Sequence, residues 1–283
     1  MNKYDAYFGD CELTLNRIDY KRGLEERFSE LSNQKHVIQQ SSLIGQLVES
    51  GLFDSENTYV EFGCGRAEFS RYLNKALISE FLHTDSKIST DVYEKSLPTL
   101  RYLLIDRDSP RLKFDTKMKK DYVELIKCDE DKSKIDIQRL KVDIKDLKLL
   151  ESLKHFETEK KVNYVGISKH LCGVATDLTL RCLSQAINDA TTDSKSHFKG
   201  FLVAMCCRHC CSYAHLLPES KQFLADKFGV NADNFKYMKK MFSWATNGIR
   251  PGLSAEDGAD HFTGLDFKHR EKIGLSTRRI LEV

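Results

Sequence analysis

Thr58–Ala67, TYVEFGCGRA, is the stretch whose reading decides the fold. Tyr59–Phe62 is an apolar run carrying one acid, and it reads as a buried strand that Gly63-Cys64-Gly65 ends abruptly. From Ala67 to Leu77 the spacing turns helical, with Phe69, Leu73, Ala76 and Leu77 on one face. Strand, glycine turn and helix open a nucleotide-binding βαβ unit, because glycines let the backbone approach a ligand that a side chain would hold off. A dinucleotide fingerprint needs a third glycine at position 68, and that residue is Glu68. The pattern present is an acid (Glu61) two residues before Gly63, then Gly-x-Gly, then a small residue (Ala67). Sites for S-adenosylmethionine (SAM) usually read this way. Glu61 would accept from the cofactor's ammonium, and the bare turn at Gly63, Cys64 and Gly65 would lie against methionine and ribose. Taken alone, Gly-x-Gly is also compatible with a plain tight turn.

The composition suits a soluble globular α/β protein: 41% of residues are hydrophobic and 30% charged, enough to build a sizeable core. Only 4 prolines and 15 glycines argue against a long disordered linker. A net charge of +2 is too small to establish a nucleic-acid partner by itself. No run of 18 apolar residues occurs, so no transmembrane helix is expected. Met1–Asp10 has no apolar core of a signal peptide, so secretion is not expected, and the nine cysteines read as reduced thiols or metal ligands.

The rest of the chain follows an alternating pattern. Leu24–Leu31 and Val37–Leu52 have helical spacing and read, within residues 1–57, as a helical extension packed on the sheet. Residues 79–100 are polar and aperiodic and read as a surface insertion. Arg101–Arg107 is the second strand, ending in Asp106, an acid placed to bind ribose hydroxyls or to cap a helix. Arg107, Arg111, Lys113, Lys117, Lys119 and Lys120 follow as a basic run, which is either a solvated helix face or a phosphate-holding surface. Pro110 would start the helix there. Ile135–Leu147 suggests a third strand, although Arg139-Leu140 breaks the alternation. Asp143-Ile144 near its end would accept from an adenine amine and cover the ring, or stand as a surface acid. Val162–His170 is the fourth strand, followed by a helix over Ala175–Ala190. Ligands of open α/β sheets bind outside the carboxyl ends of the strands, so Ser168, Lys169, His170 and Cys172 should face the site. Gly200–Cys207 is the fifth strand. Behind it Cys206-Cys207-Arg208-His209-Cys210-Cys211 reads as a tight turn presenting Arg208 and His209. Neighbouring cysteines on a strand diverge, so no zinc is expected there. Pro218–Val230 and Phe267–Leu281 read as helices, the second rich in basic residues. The segment Tyr237–Arg250 mixes aromatics with basic residues around Trp244.

Four motifs carry a resemblance: Glu61-Phe62-Gly63-Cys64-Gly65, the run Ser168-Lys169-His170-Leu171-Cys172-Gly173-Val174-Ala175-Thr176-Asp177, Cys206-Cys207-Arg208-His209-Cys210, and Ser243-Trp244-Ala245-Thr246. With them the chain resembles the eukaryotic tRNA 2′-O-ribose methyltransferases that modify nucleotide 4 of the acceptor stem, the TRM-thirteen family, over about residues 10–283. The resemblance implies a Rossmann-like SAM-dependent methyltransferase domain over 58–283 that acts on the tRNA acceptor stem inside the cell, in cytoplasm or nucleus. That family usually carries zinc-binding fingers ahead of its catalytic domain, and residues 1–57 hold no Cys/His spacing for them. It also tends to continue into a closing strand pair, which a chain ending at Val283 would lack.

The implied reaction is methyl transfer to a ribose 2′-hydroxyl, a poor nucleophile at neutral pH that needs a base or a cation beside it. Lys169 and His170 are the candidates, and Arg208 and His209 would hold the neighbouring phosphate. A methyltransferase for a protein or small molecule, and a catalytically inactive tRNA-binding fragment, are the alternatives.

Overall fold

The computed structural model describes residues 17–30, 32, 34–84, 97–111, 113–157, 161–190, 196–205, 210–245 and 267–281. Its centre is a five-stranded sheet built from β1 (Thr58–Phe62), β2 (Leu100–Asp106), β3 (Ile135–Lys141), β4 (Val162–Ser168) and β5 (Ser196–Val203). The strands lie in the order β3-β2-β1-β4-β5 and all four pairings are parallel. All five residues of β1 are buried. Burial on both faces is the physical reason for its continuous apolar run, since helices cover both sides of a parallel sheet.

Among the described residues the α-helices are α1 (Glu25–Glu30), α2 (Lys35–Glu49), α3 (Glu68–Thr84), α4 (Asp115–Ile126), α5 (Leu149–Leu153), α6 (Ala175–Asp189), α7 (Pro218–Phe228), α8 (Ala232–Phe242) and α9 (Phe267–Ile280). The chain divides into two compact units. One is Leu15–Leu171 with Thr179–Ala204; the other holds Cys172–Leu178 and the described residues from Met205 on. In the first unit Val37, Ile44 and Leu47 of α2 share one core with Tyr59, Phe69, Leu73, Tyr102, Met118 and Tyr122. Helices α3 and α4 are joined by Arg71, which pairs with both oxygens of Asp121 at 2.6 and 2.9 Å. In the second unit α7, α8 and α9 close over Leu216, Leu224, Val230, Phe235, Met238 and Phe242. Helix α7 starts on Pro218 and ends on left-handed Gly229, and α8 opens with a capping box between Asn231 and Asn234.

Four boundaries differ by several residues from the sequence expectation, one of them that of β5, which runs Ser196–Val203 and not Gly200–Cys207. Helix α3 runs on to Thr84, so residues 79–84 of the expected insertion are helical; residues 85–96 lie outside the described ones. Helix α4 begins at Asp115 and not at Pro110. Strand β3 stops at Lys141, leaving Asp143-Ile144 in a short 3-10 turn beyond it.

Candidate active site

Chain order runs outward from β1 to β2 and β3, then returns to the other side of β1 for β4 and β5. The reversal falls between β1 and β4, and open α/β sheets bind ligands at this point, beyond the carboxyl ends of the strands. The turn after β1 and the segment after β4 therefore mark the candidate site.

The turn is unusual in its backbone. Gly63, Gly65 and the non-glycine Ala67 all have positive φ, at 64°, 48° and 64°. Ala67 bears a penalty of about 1–2 kcal/mol for this. The conformation persists because its polar groups are held. The amide of Cys64 donates to Ile105 at 3.0 Å, that of Ala67 to Cys64 at 2.6 Å, and that of Phe114 to Arg66 at 2.9 Å. The Gly65 amide donates to Asp106 Oδ2 at 2.7 Å. At Gly63 the ends of β1 and β4 come close: a Cβ there would sit 3.3 Å from the His170 carbonyl oxygen. A Cβ on Gly65 would meet no atom within 4 Å, so the turn presents bare backbone to open space.

Glu61 lies inside the sheet with a carboxylate oxygen accepting from the Ser70 amide at 3.2 Å and from the Ser70 hydroxyl. Burial pushes its pKa up to about 7, against the downward pull of Ser70, Arg139 and Lys169. Asp106 is already engaged: Oδ2 accepts from Gly65 and Oδ1 from the Asp108 amide at 2.9 Å. A carboxylate oxygen can accept twice, so Asp106 can hold the turn and still receive a ribose hydroxyl. Asp143 accepts from the Lys145 amide at 3.1 Å as the cap of its 3-10 turn, and it and Ile144 are half-buried. Ser168 is fully buried and donates to the Phe62 carbonyl at 2.7 Å, tying β4 to β1 beneath the site.

Lys169 is buried, and its ammonium lies 3.5 Å from one oxygen of Glu68 while Arg27 holds the other oxygen at 2.9 Å. His170 is exposed. Partial desolvation, with Lys169 and His36 beside it, holds its pKa below the usual 6.5 and favours the neutral imidazole. Cys206, Cys207, Arg208 and His209 lie outside the described residues; Cys210 is exposed and Cys211 is buried in the helical unit. Among the described residues no group of His, Cys, Asp and Glu could hold a metal ion.

Ser70, Arg27 and His36 enter the site without having been singled out in the sequence. Glu68 reads there only as the residue in place of a third glycine, and Arg139 only as the charge that interrupts the β3 alternation. Its guanidinium pairs with Asp115 at 2.8 and 2.6 Å, donates to the Gly65 carbonyl at 2.8 Å and lies 3.1 Å from the Cys64 sulfur.

The sheet order and the glycine turn at its reversal define a Rossmann-like α/β protein of the methyltransferase kind. The chain belongs to the TRM13 methyltransferase family: residues 38–283 match the family described as Methyltransferase TRM13. It is similar to "tRNA:m(4)X modification enzyme TRM13" of Debaryomyces hansenii, 43% identical over 94% of this chain and 54% of the relative. The proteins of the same description from Scheffersomyces stipitis and Saccharomyces cerevisiae are 40% and 38% identical over 94% and 99% of this chain. The chain spans 60% and 62% of those two, so it matches a little over half the length of its curated relatives. No solved structure matches it.

Proposed function

We propose that this chain is the catalytic part of a SAM-dependent tRNA methyltransferase that methylates the ribose 2′-hydroxyl of nucleotide 4 in the acceptor stem. One observation carries the reading: a bare, pre-shaped glycine turn stands at the sheet reversal beside Lys169 and His170, in a chain of the TRM13 family.

SAM supplies an activated methyl group on a sulfonium. Glu61 receives the ammonium, the turn from Gly63 to Gly65 lies under methionine and ribose, Asp106 takes the ribose hydroxyls, and Asp143 with Ile144 borders the adenine. With an activated donor, most of the rate comes from aligning oxygen, methyl and sulfur. His170, neutral at physiological pH, accepts the proton of the 2′-hydroxyl, and the Lys169 ammonium favours the oxygen's developing charge. The exposed cations Arg111, Lys113, Lys117, Lys119 and Lys120 lie at and after the end of β2, next to the turn, and suit the phosphates of a stem. A tRNA substrate puts the reaction inside the cell.

Incubating the chain with bulk tRNA and methyl-labelled SAM, followed by nuclease mapping, tests this. Label on the 2′-oxygen of nucleotide 4 is the expected result. Label on a base, on protein alone, or nowhere would overturn it.

A further inference from the structure

Arg139 is a buried cation with no part in the proposed transfer. Arg139 stands in the third strand opposite Leu104 of β2. Its side chain is only 13% exposed and that of its partner Asp115 25%. An ion pair taken this far out of water is weak evidence for stability, because desolvation offsets the attraction. Its geometry says more. The guanidinium uses Nε and Nη2 on Asp115, which leaves Nη1 aimed at the Gly65 carbonyl at 2.8 Å, with the Cys64 sulfur beside it at 3.1 Å. The Gly65 amide is meanwhile held by Asp106 at 2.7 Å. Gly65, where a Cβ would meet no atom within 4 Å, is thus gripped on its amide from β2 and on its carbonyl from β3.

We propose that Arg139, fixed by Asp115, is a positioning residue for the cofactor turn: it holds the Gly65 carbonyl and with it the open, ligand-ready shape of residues 63–67. The proposal rests on the SAM reading of that turn. Arg139 also acts at a distance. The groups facing Glu61 are Ser70 of α3, Arg139 of β3, Lys169 after β4, Cys64 in the turn and Tyr102 of β2. Of these only the two cations and the Ser70 hydrogen bonds favour the carboxylate that an ammonium ligand needs, against burial. Removing the Arg139 charge makes Glu61 harder to ionise. A residue that merely filled space would not move that titration.

The test is calorimetric SAM binding to the whole chain between about pH 6 and about pH 8.5, with steady-state turnover on tRNA, for wild type, Arg139→Gln and Arg139→Lys. Arg139→Gln is expected to raise Kd and KM for SAM about tenfold or more, the scale of a lost charge-assisted hydrogen bond. Turnover at saturation should stay within about threefold, the pattern of lost cofactor binding. The pH midpoint of its SAM affinity should move upward. Arg139→Lys keeps the charge but not the fork, so its midpoint should return while its affinity stays low. Wild-type affinity and pH dependence in both variants, or lost turnover with unchanged KM, would overturn the proposal. Should Arg139→Gln fail to fold, Arg139→Lys decides alone: a wild-type Kd sinks the proposal, and a raised Kd at an unmoved midpoint supports it. If the wild type binds no SAM, the cofactor reading itself falls; if it binds and the variants are indifferent, only the role of Arg139 falls.

Discussion

Glu61 bears opposing demands. Its folded-state pKa of about 7 lies above the ordinary 4.5, so between those values the folded chain holds a proton that the unfolded chain has released. Stability from this group is therefore present below about pH 4.5 and is lost as pH rises to about 7. Glu61→Gln keeps an oxygen for Ser70 and removes the charge. It is expected to make the ligand-free protein more stable at neutral pH, by on the order of 2–3 kcal/mol, while weakening SAM binding. Denaturant melts at about pH 5 and about pH 8 check this; a variant destabilised at both would show Glu61 to be a structural acid only. At the other strand end, at least one of Lys169→Ala and His170→Ala is expected to lose roughly a hundredfold in turnover with SAM and tRNA affinity kept, the scale of a lost general base. If His170 takes the proton, the wild-type turnover rises through a pH below the ordinary 6.5. Normal turnover in both variants would move the catalytic group elsewhere.

At the scale of elements, the segment from β2 into α4 joins the turn to the basic run. The Phe114 amide bonds to Arg66 of the turn, and the Phe114 ring has Arg66, Lys117 and Arg71 over it at 4.4, 5.3 and 5.4 Å. This end of α4 is both basic and fixed to the site. Reversing two charges, Arg111→Glu with Lys117→Glu, is expected to weaken tRNA binding and to lower its salt slope by about two. SAM affinity should be unchanged. A gel-shift series in salt reads this, and an unaltered slope would return the run to a solvated helix face. The same scale shows why some boundaries escaped the sequence. Helix α3 keeps its apolar face to the end, where Phe81 and Leu82 pack against the core, and there Glu80 receives Tyr20 at 2.6 Å and is paired with Arg22. Those partners lie about sixty positions earlier, and periodicity sees only neighbours.

For the whole molecule, a ligand that binds only the folded form stabilises it by about 2.7 kcal/mol at a hundred times Kd. Two compact units need not share that gain equally. Saturating SAM is expected to slow hydrogen exchange at the carboxyl ends of β1, β2 and β4 and in residues 63–67, with little change in α7, α8 and α9. Protection confined to the helical unit would contradict a cofactor seated on the sheet.

The sequence by itself determined the class of the sheet and the glycine turn after its first strand. Apolar run length, glycine spacing and helical periodicity are local properties, and they put Gly63 and Gly65 just beyond β1, and Lys169 and His170 just beyond β4. It did not determine what each polar group spends its hydrogen bonds on. Only the tertiary structure decided that Ser168 holds Phe62, that Asp106 holds Gly65 and Asp108, and that Lys169 meets Glu68, whose other oxygen Arg27 holds. It alone placed Arg139, read in the sequence as a break in an alternating strand, against the Gly65 carbonyl. A buried polar group must be paired wherever a partner can be found. In a parallel sheet those partners come from strands and helices distant in sequence, which no local pattern can encode.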